Sequence, residues 1–151
     1  MAVQQTRGRL PTPAGRTFLR RDILIAGIAV LAVYDLGLAA FMAVSPHSFF
    51  TNIGPFGARN DHYIRDTATF SAAIGVGLLI ALRRPSWRVP MLAISTVQFA
   101  LHSINHLVDI EGAHPAWNGY FDFFSLAVAT IVLGGVLRVA LKHPQDETSR
   151  T

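Results

Sequence analysis

Six polar residues recur every three or four positions within an otherwise apolar stretch of the chain. They are Ser95, Gln98, His102, Asn105, His106 and Asp109. In an α-helix this spacing places them within an arc of roughly 100°, so they form one polar stripe along a helix face. Unpaired polar groups are costly in hydrocarbon, and a membrane segment retains them only where they face protein, water or a ligand. The polar stripe therefore predicts a site.

Two histidines of the polar stripe have the spacing of metal ligands. His102 and His106 are four residues apart, which puts both imidazoles on one helix face. Asp109 is positioned to be a third ligand or to orient a ring N–H, and His62 or Asp66 would complete the set. Such ligands suit zinc, iron, manganese or copper(II). The alternative is that both histidines only form hydrogen bonds with neighbouring helices.

Haem is a narrower option, because its two axial histidines normally come from two helices. His102 would then pair with His62 rather than with His106. If the site is catalytic, His102 or His106 is the candidate acid, base or ligand, and Asp109 is the candidate orienting carboxylate. The chain has no cysteine, which excludes disulfides and thiolate ligands. It also lacks a nucleophile motif, a glycine-rich phosphate loop and HExxH, so the sequence does not favour a hydrolase or a kinase.

Long apolar runs must position these groups. The chain has 151 residues, of which 51% are hydrophobic and 15% charged, and the apolar runs cover residues 23–44, 63–82, 89–108 and 120–141. Each run approaches the roughly 20 residues that a helix needs to cross a bilayer. The sequence predicts an all-α integral membrane four-helix bundle over residues 22–142. A disordered basic arm, residues 1–21, would precede it, and a tail, residues 143–151, would follow.

The basic residues indicate a topology rather than a nucleic-acid partner. They precede the first run, fill the turn between the second and third, and lie at or beyond the end of the fourth, whereas only Arg59 and Arg65 lie near the other ends. By the positive-inside rule, we expect both termini to lie in the cytoplasm. The location that we expect is the plasma membrane. The three cytoplasmic groups are Arg7, Arg9, Arg16, Arg20 and Arg21; Arg83, Arg84 and Arg88; and Arg138, Lys142 and Arg150.

In this topology, polar residues of all four runs meet in the outer half of the bundle. Candidate ligand-binding residues are Asp35, Arg65, Asp66, Gln98 and Asn105, with Asp122 close by. Asp35 lies roughly 13 Å below the outer end of the first helix at 1.5 Å per residue. A carboxylate at that depth is a candidate proton or ion relay. The alternative is that it bonds Gln98 or Tyr34 and only holds helices together.

The layout resembles the small four-helix bacterial membrane proteins grouped as DoxX-like, over residues 23–141. The features that carry the resemblance are the four spans, a second span rich in small residues with Arg65-Asp66 at its mouth, and the Arg83-Arg84-Pro85 hairpin. The resemblance implies a membrane accessory role, in some relatives linked with redox enzymes. It assigns no catalytic residues.

Three functions follow as hypotheses. The first is a redox-associated membrane protein with an outward-facing His/Asp pocket that binds a divalent metal or a small lipid- or quinone-like molecule. The second is a non-catalytic subunit that docks onto a larger membrane complex or forms a homo-oligomer. The third is a small proton-coupled transporter that uses Asp35.

Overall fold

The computed structural model describes the backbone of residues 13–142 and the side chains of residues 21–142. Over this range the chain is helical and contains no β-strand, which confirms the predicted all-α class. The tail predicted at residues 143–151 lies outside the described residues. The helices are α1 (Pro13–Val44), α2 (Pro46–Asn52), α3 (Asp61–Arg83), α4 (Arg88–Val108) and α5 (Trp117–Lys142), with a 3-10 turn at Pro85–Trp87.

The first helix begins earlier than the apolar run does. α1 starts at Pro13, within the segment predicted to be a disordered arm, so residues 13–21 are helical. Proline suits the first turn of a helix, since its missing N–H would have no partner there. Once started, the helix continues without a break into the apolar run. The first part of the predicted arm, residues 1–12, lies outside the described residues.

Three helices are long and apolar enough to cross a membrane: Arg21–Val44 within α1, Asp61–Arg83 (α3) and Trp117–Lys142 (α5). Large apolar side chains cover their surfaces, and Val33, Phe70 and Ile131 are each more than 70% exposed. An apolar surface this extensive indicates a membrane protein. α4 does not reach the same mean hydropathy, because the polar stripe interrupts its apolar residues.

The long helices pack mainly in two pairs, α1 with α3 and α4 with α5. One hydrophobic core draws on all four of them, with Ile28, Leu78, Leu92 and Leu133 as examples. The α1–α3 pair is tight at Gly75, where an added Cβ would come within 2.6 Å of Leu36 Cγ. Small residues permit such close approach of helices in lipid.

Two connections fix the ends of the long helices. Between α3 and α4, the buried Arg88 donates from Nε to the carbonyl of Ala81 at 3.2 Å and ties the short hairpin together. At the opposite end, residues 53–60 and 109–116 pack on each other, and we call these two loops the loop cap. An isolated antiparallel bridge joins Phe56 to Ala113, and the His114 N–H donates to the carbonyl of Pro55 at 3.1 Å.

Candidate functional site

The polar stripe lies on α4, at the boundary between the core and the exposed face of that helix. Ser95 is fully buried, Gln98 and His106 are half-buried, and His102 and Asn105 are exposed. Asp109 is also exposed and is the C-cap residue of α4. The predicted helical periodicity therefore places the polar stripe beside the core and not at its centre.

The two histidines of the polar stripe bond to each other. Their Nε2 atoms are 3.0 Å apart and their ring centroids 4.8 Å apart. Because a neutral imidazole carries one donor and one acceptor nitrogen, one ring donates to the other. From the loop cap, Phe56 places its ring edge-on to His106, with centroids 4.8 Å apart. The loop cap thus contacts His106 through Phe56.

The predicted metal ligands are not brought together. His62 lies on α3 and pairs through Nε2 with Asp66 Oδ2 at 3.3 Å, and both side chains are exposed. Among residues 21–142, no group of three or more His, Asp or Glu could hold a metal ion. Each i, i+4 pair makes its contact within its own helix instead: His102 with His106 on α4, and His62 with Asp66 on α3. The structure therefore does not support a metal centre at His102, His106, Asp109 and His62, and it engages His62 away from the predicted haem pairing.

A shallow, open groove lies on the exposed face of α4 beside the polar stripe. It has a volume of about 490 Å³ and is lined by five residues of α4 itself: Ala93, Ile94, Val97, Gln98 and Leu101. Gln98 is the polar member of this set, and its Oε1 is buried with no hydrogen-bond partner among the residues described. A buried acceptor without a donor costs roughly 1–3 kcal/mol, so a group that donates to Gln98 would be stabilised there.

A second polar group lies around Asp35, which is only 3% exposed. Its Oδ2 has no hydrogen-bond partner within the described part of the chain, and the same holds for Oδ2 of Asp122. The Tyr34 hydroxyl is within electrostatic reach of both carboxyl groups. The Tyr34 ring packs against Phe99 of α4, with centroids 6.0 Å apart. This cluster therefore joins α1, α4 and α5.

Other predicted site residues lie apart from these groups. Arg65 is exposed on α3, next to Asp66, whose partner is His62. Sequence reasoning missed a cluster at the loop cap, where Arg59 Nε contacts Asp61 Oδ1 at 3.1 Å and Arg59 Nη1 contacts His47 Nδ1. Nothing in the local sequence signals a contact between positions 47 and 59.

The arrangement can offer hydrogen-bond donors and acceptors to a molecule at the apolar face of α4. The histidine pair and the Gln98 amide lie one turn apart along the helix, next to aliphatic side chains. Neither a family model, nor a curated protein, nor a solved structure matches this chain. The DoxX-like resemblance therefore stays a prediction.

Proposed function

We propose that this chain is a small four-helix protein of the plasma membrane that binds a lipid-tailed quinol on α4. The observation that carries the proposal is the Gln98 side-chain oxygen, which is buried without a partner beside an apolar groove of about 490 Å³. A groove with one unmet acceptor suits an amphipathic ligand with a hydroxyl on its head. Lipid on the exposed face of α4 would be the route by which such a ligand arrives.

The connections support a fourth membrane crossing by α4. The bridge from Phe56 to Ala113 joins the loop before α3 to the loop before α5, so both helices begin on one side. If α3 crosses, the chain must return between Arg83 and Ala113, and α4 is the long helix in that interval. Its 21 residues span about 31 Å at 1.5 Å per residue, close to the thickness of a bilayer core.

The charges support a cytoplasmic position for both ends of the chain. The hairpin between α3 and α4 carries Arg83, Arg84 and Arg88, and α5 ends with Arg138 and Lys142 on the same side. The loop cap side carries few basic residues. By the positive-inside rule, the hairpin faces the cytoplasm and the loop cap faces outward. The histidine pair then lies in the outer half of the bundle.

The chemistry of a quinol head complements the polar stripe. Gln98 Oε1 is buried, so the side chain would turn towards the groove to accept from one ring hydroxyl. His102 is one turn away and is exposed, and its imidazole nitrogens can accept from a quinol hydroxyl or donate to a quinone carbonyl. Ile94, Val97 and Leu101 would pack against the ring and the start of the tail. This proposal leaves no role for a metal ion.

Calorimetric titration of the detergent-purified protein with a short-tailed benzoquinol, kept reduced, tests the proposal. We expect Gln98→Leu to weaken binding about three- to tenfold, because a neutral hydrogen bond contributes about 0.5–1.5 kcal/mol. The matched control is Thr130→Val, which removes a hydroxyl that donates to the Leu126 carbonyl within α5 at 2.8 Å. It should leave the affinity unchanged.

Two results would contradict the quinol site. One is the absence of binding by the unmodified protein at concentrations that saturate ordinary quinol sites. The other is equal affinity for the unmodified protein and Gln98→Leu. Either result would favour the reading in which the chain is a non-catalytic subunit of a larger membrane complex.

A further inference from the structure

Asp35 is a carboxyl group at the buried side of a helix that is apolar enough to cross a membrane. It is 3% exposed, and its Oδ2 has no partner in the part of the chain that the structure describes. The Oδ2 atom of Asp122 in α5 is also buried without a partner among the described residues. Tyr34 interacts electrostatically with both carboxyl groups. An acid in such surroundings is either neutral or in contact with a cation.

The helices around Asp35 bring no basic side chain to its level. The sequence has no Lys or Arg at residues 22–44, 67–82, 89–108 or 117–137. α3, which packs against α1, has no titratable residue between Asp66 and Arg83, and α4 brings only His102 and His106. α5 brings Asp122, which is another acid. Since no fixed counter-charge is available, a proton is the cation that fits this site most simply.

We propose that Asp35, Tyr34 and Asp122 form a proton-binding site in which Asp35 holds the proton and exchanges it. No hydrogen bond joins Tyr34 to Oδ2 of Asp35 or of Asp122 in the structure, so the exchange requires the Tyr34 hydroxyl to move between them. The Asp35 carboxyl then gives its proton to the Tyr34 oxygen while the Tyr34 hydroxyl proton passes to the Asp122 carboxylate. Asp35 becomes ionised, Asp122 becomes neutral, and the total charge is unchanged. Asp122 is half-buried and Tyr34 is 47% exposed, so both lie nearer the surface than Asp35 does.

This site is separate from the quinol site proposed on α4. The exchange uses α1 and α5, needs no bound ligand, and would survive the failure of the quinol titration. The exchange would supply the proton transfer that a proton-coupled transporter or a redox partner protein needs. The proton-binding site is therefore tested by a measurement of its own, which does not depend on the quinol titration.

Infrared spectroscopy of the full chain in lipid nanodiscs tests the site, because a protonated carboxyl has a carbonyl stretch that a carboxylate lacks. We expect an acid band that disappears in Asp35→Asn and persists in Asp22→Asn, an exposed position on the same helix. The band should weaken reversibly as the pH rises. In heavy water it should exchange at least a few-fold more slowly in Tyr34→Phe than in the unmodified protein.

Each other outcome overturns part or all of the proposal. No band assignable to Asp35 at any pH would show that it is not protonated. A band that neither titrates nor exchanges would make Asp35 a permanently neutral structural group. A band that disappears on adding Na⁺ at constant pH would identify a metal cation as the ligand. Equal exchange rates in the unmodified protein and Tyr34→Phe would remove Tyr34 from the route.

Discussion

Some polar residues of this protein have a buried oxygen without a hydrogen-bond partner, whereas others pair with a side chain on the same helix. Gln98 and Asp35 each have a buried oxygen with no partner among the described residues, and such atoms favour a ligand or a proton. His102 pairs with His106, and His62 pairs with Asp66. The proposed sites are therefore centred on Gln98 and Asp35, and His102 takes part in the first of them.

The polar stripe could be predicted from the sequence because it depends only on helical periodicity. The contact between His102 and His106 follows from the same spacing. The metal set could not be predicted from spacing alone, because it depends on whether His62 of α3 reaches the histidine pair of α4. The structure directs His62 towards Asp66 on its own helix, and spacing within one helix carries no information about that choice.

Elemental analysis of the purified protein gives a test at the residue scale. We expect no stoichiometric transition metal, because no third ligand joins the histidine pair within the described residues. The double variant His102→Ala/His106→Ala should have the same metal content as the unmodified protein. A stoichiometric metal that disappears in the double variant would restore the metal centre and replace the quinol site.

At the scale of the elements, four helices match the predicted apolar runs to within a few residues at most ends. α4 occupies Arg88–Val108 against a predicted 89–108, and α3 occupies Asp61–Arg83 against 63–82. The start of α1 and the short helix α2 were not predicted. The helices were predicted from long apolar runs, and neither of these two segments has one. α2 has only 7 residues, and the start of α1 is basic.

The loop cap was not predicted either, because it depends on contacts between loops that are far apart in the sequence. The bridge from Phe56 to Ala113 joins positions separated by two long helices. Gly119, at the start of α5, lies directly against the carbonyl oxygen of Ile110, where no Cβ fits. The loop cap therefore depends on a close backbone approach that hydropathy does not reveal.

Gly119→Ala tests the packing of the loop cap. We expect it to lower the free energy of unfolding by roughly 1–3 kcal/mol, because the added methyl group forces the Ile110 backbone to shift. Gly134→Ala is the matched control on the same helix, since a Cβ there has no atom within 4 Å. Thermal unfolding in detergent measures both. Equal melting temperatures for the two variants would show that the loop cap is not tightly packed.

At the scale of the whole molecule, the proposed quinol site depends on whether α4 crosses the bilayer. α1, α3 and α5 meet the length and hydropathy of a span, whereas α4 does not, because its polar stripe lowers its hydropathy. The bridge between the loops and the charges of the hairpin both support a crossing. Only a crossing α4 would place the histidine pair and the Gln98 groove within the membrane.

Cysteine accessibility in intact cells tests this claim most directly, because the chain has no native cysteine. Single cysteines would replace Ala58, Ser86 and Ala116, which are exposed in the loops on either side of α3 and α4. We predict that a membrane-impermeant maleimide labels positions 58 and 116 in intact cells and labels position 86 only after permeabilisation. The reverse pattern would keep the crossing and invert the orientation. Labelling of positions 86 and 116 from the same side would contradict the crossing of α4.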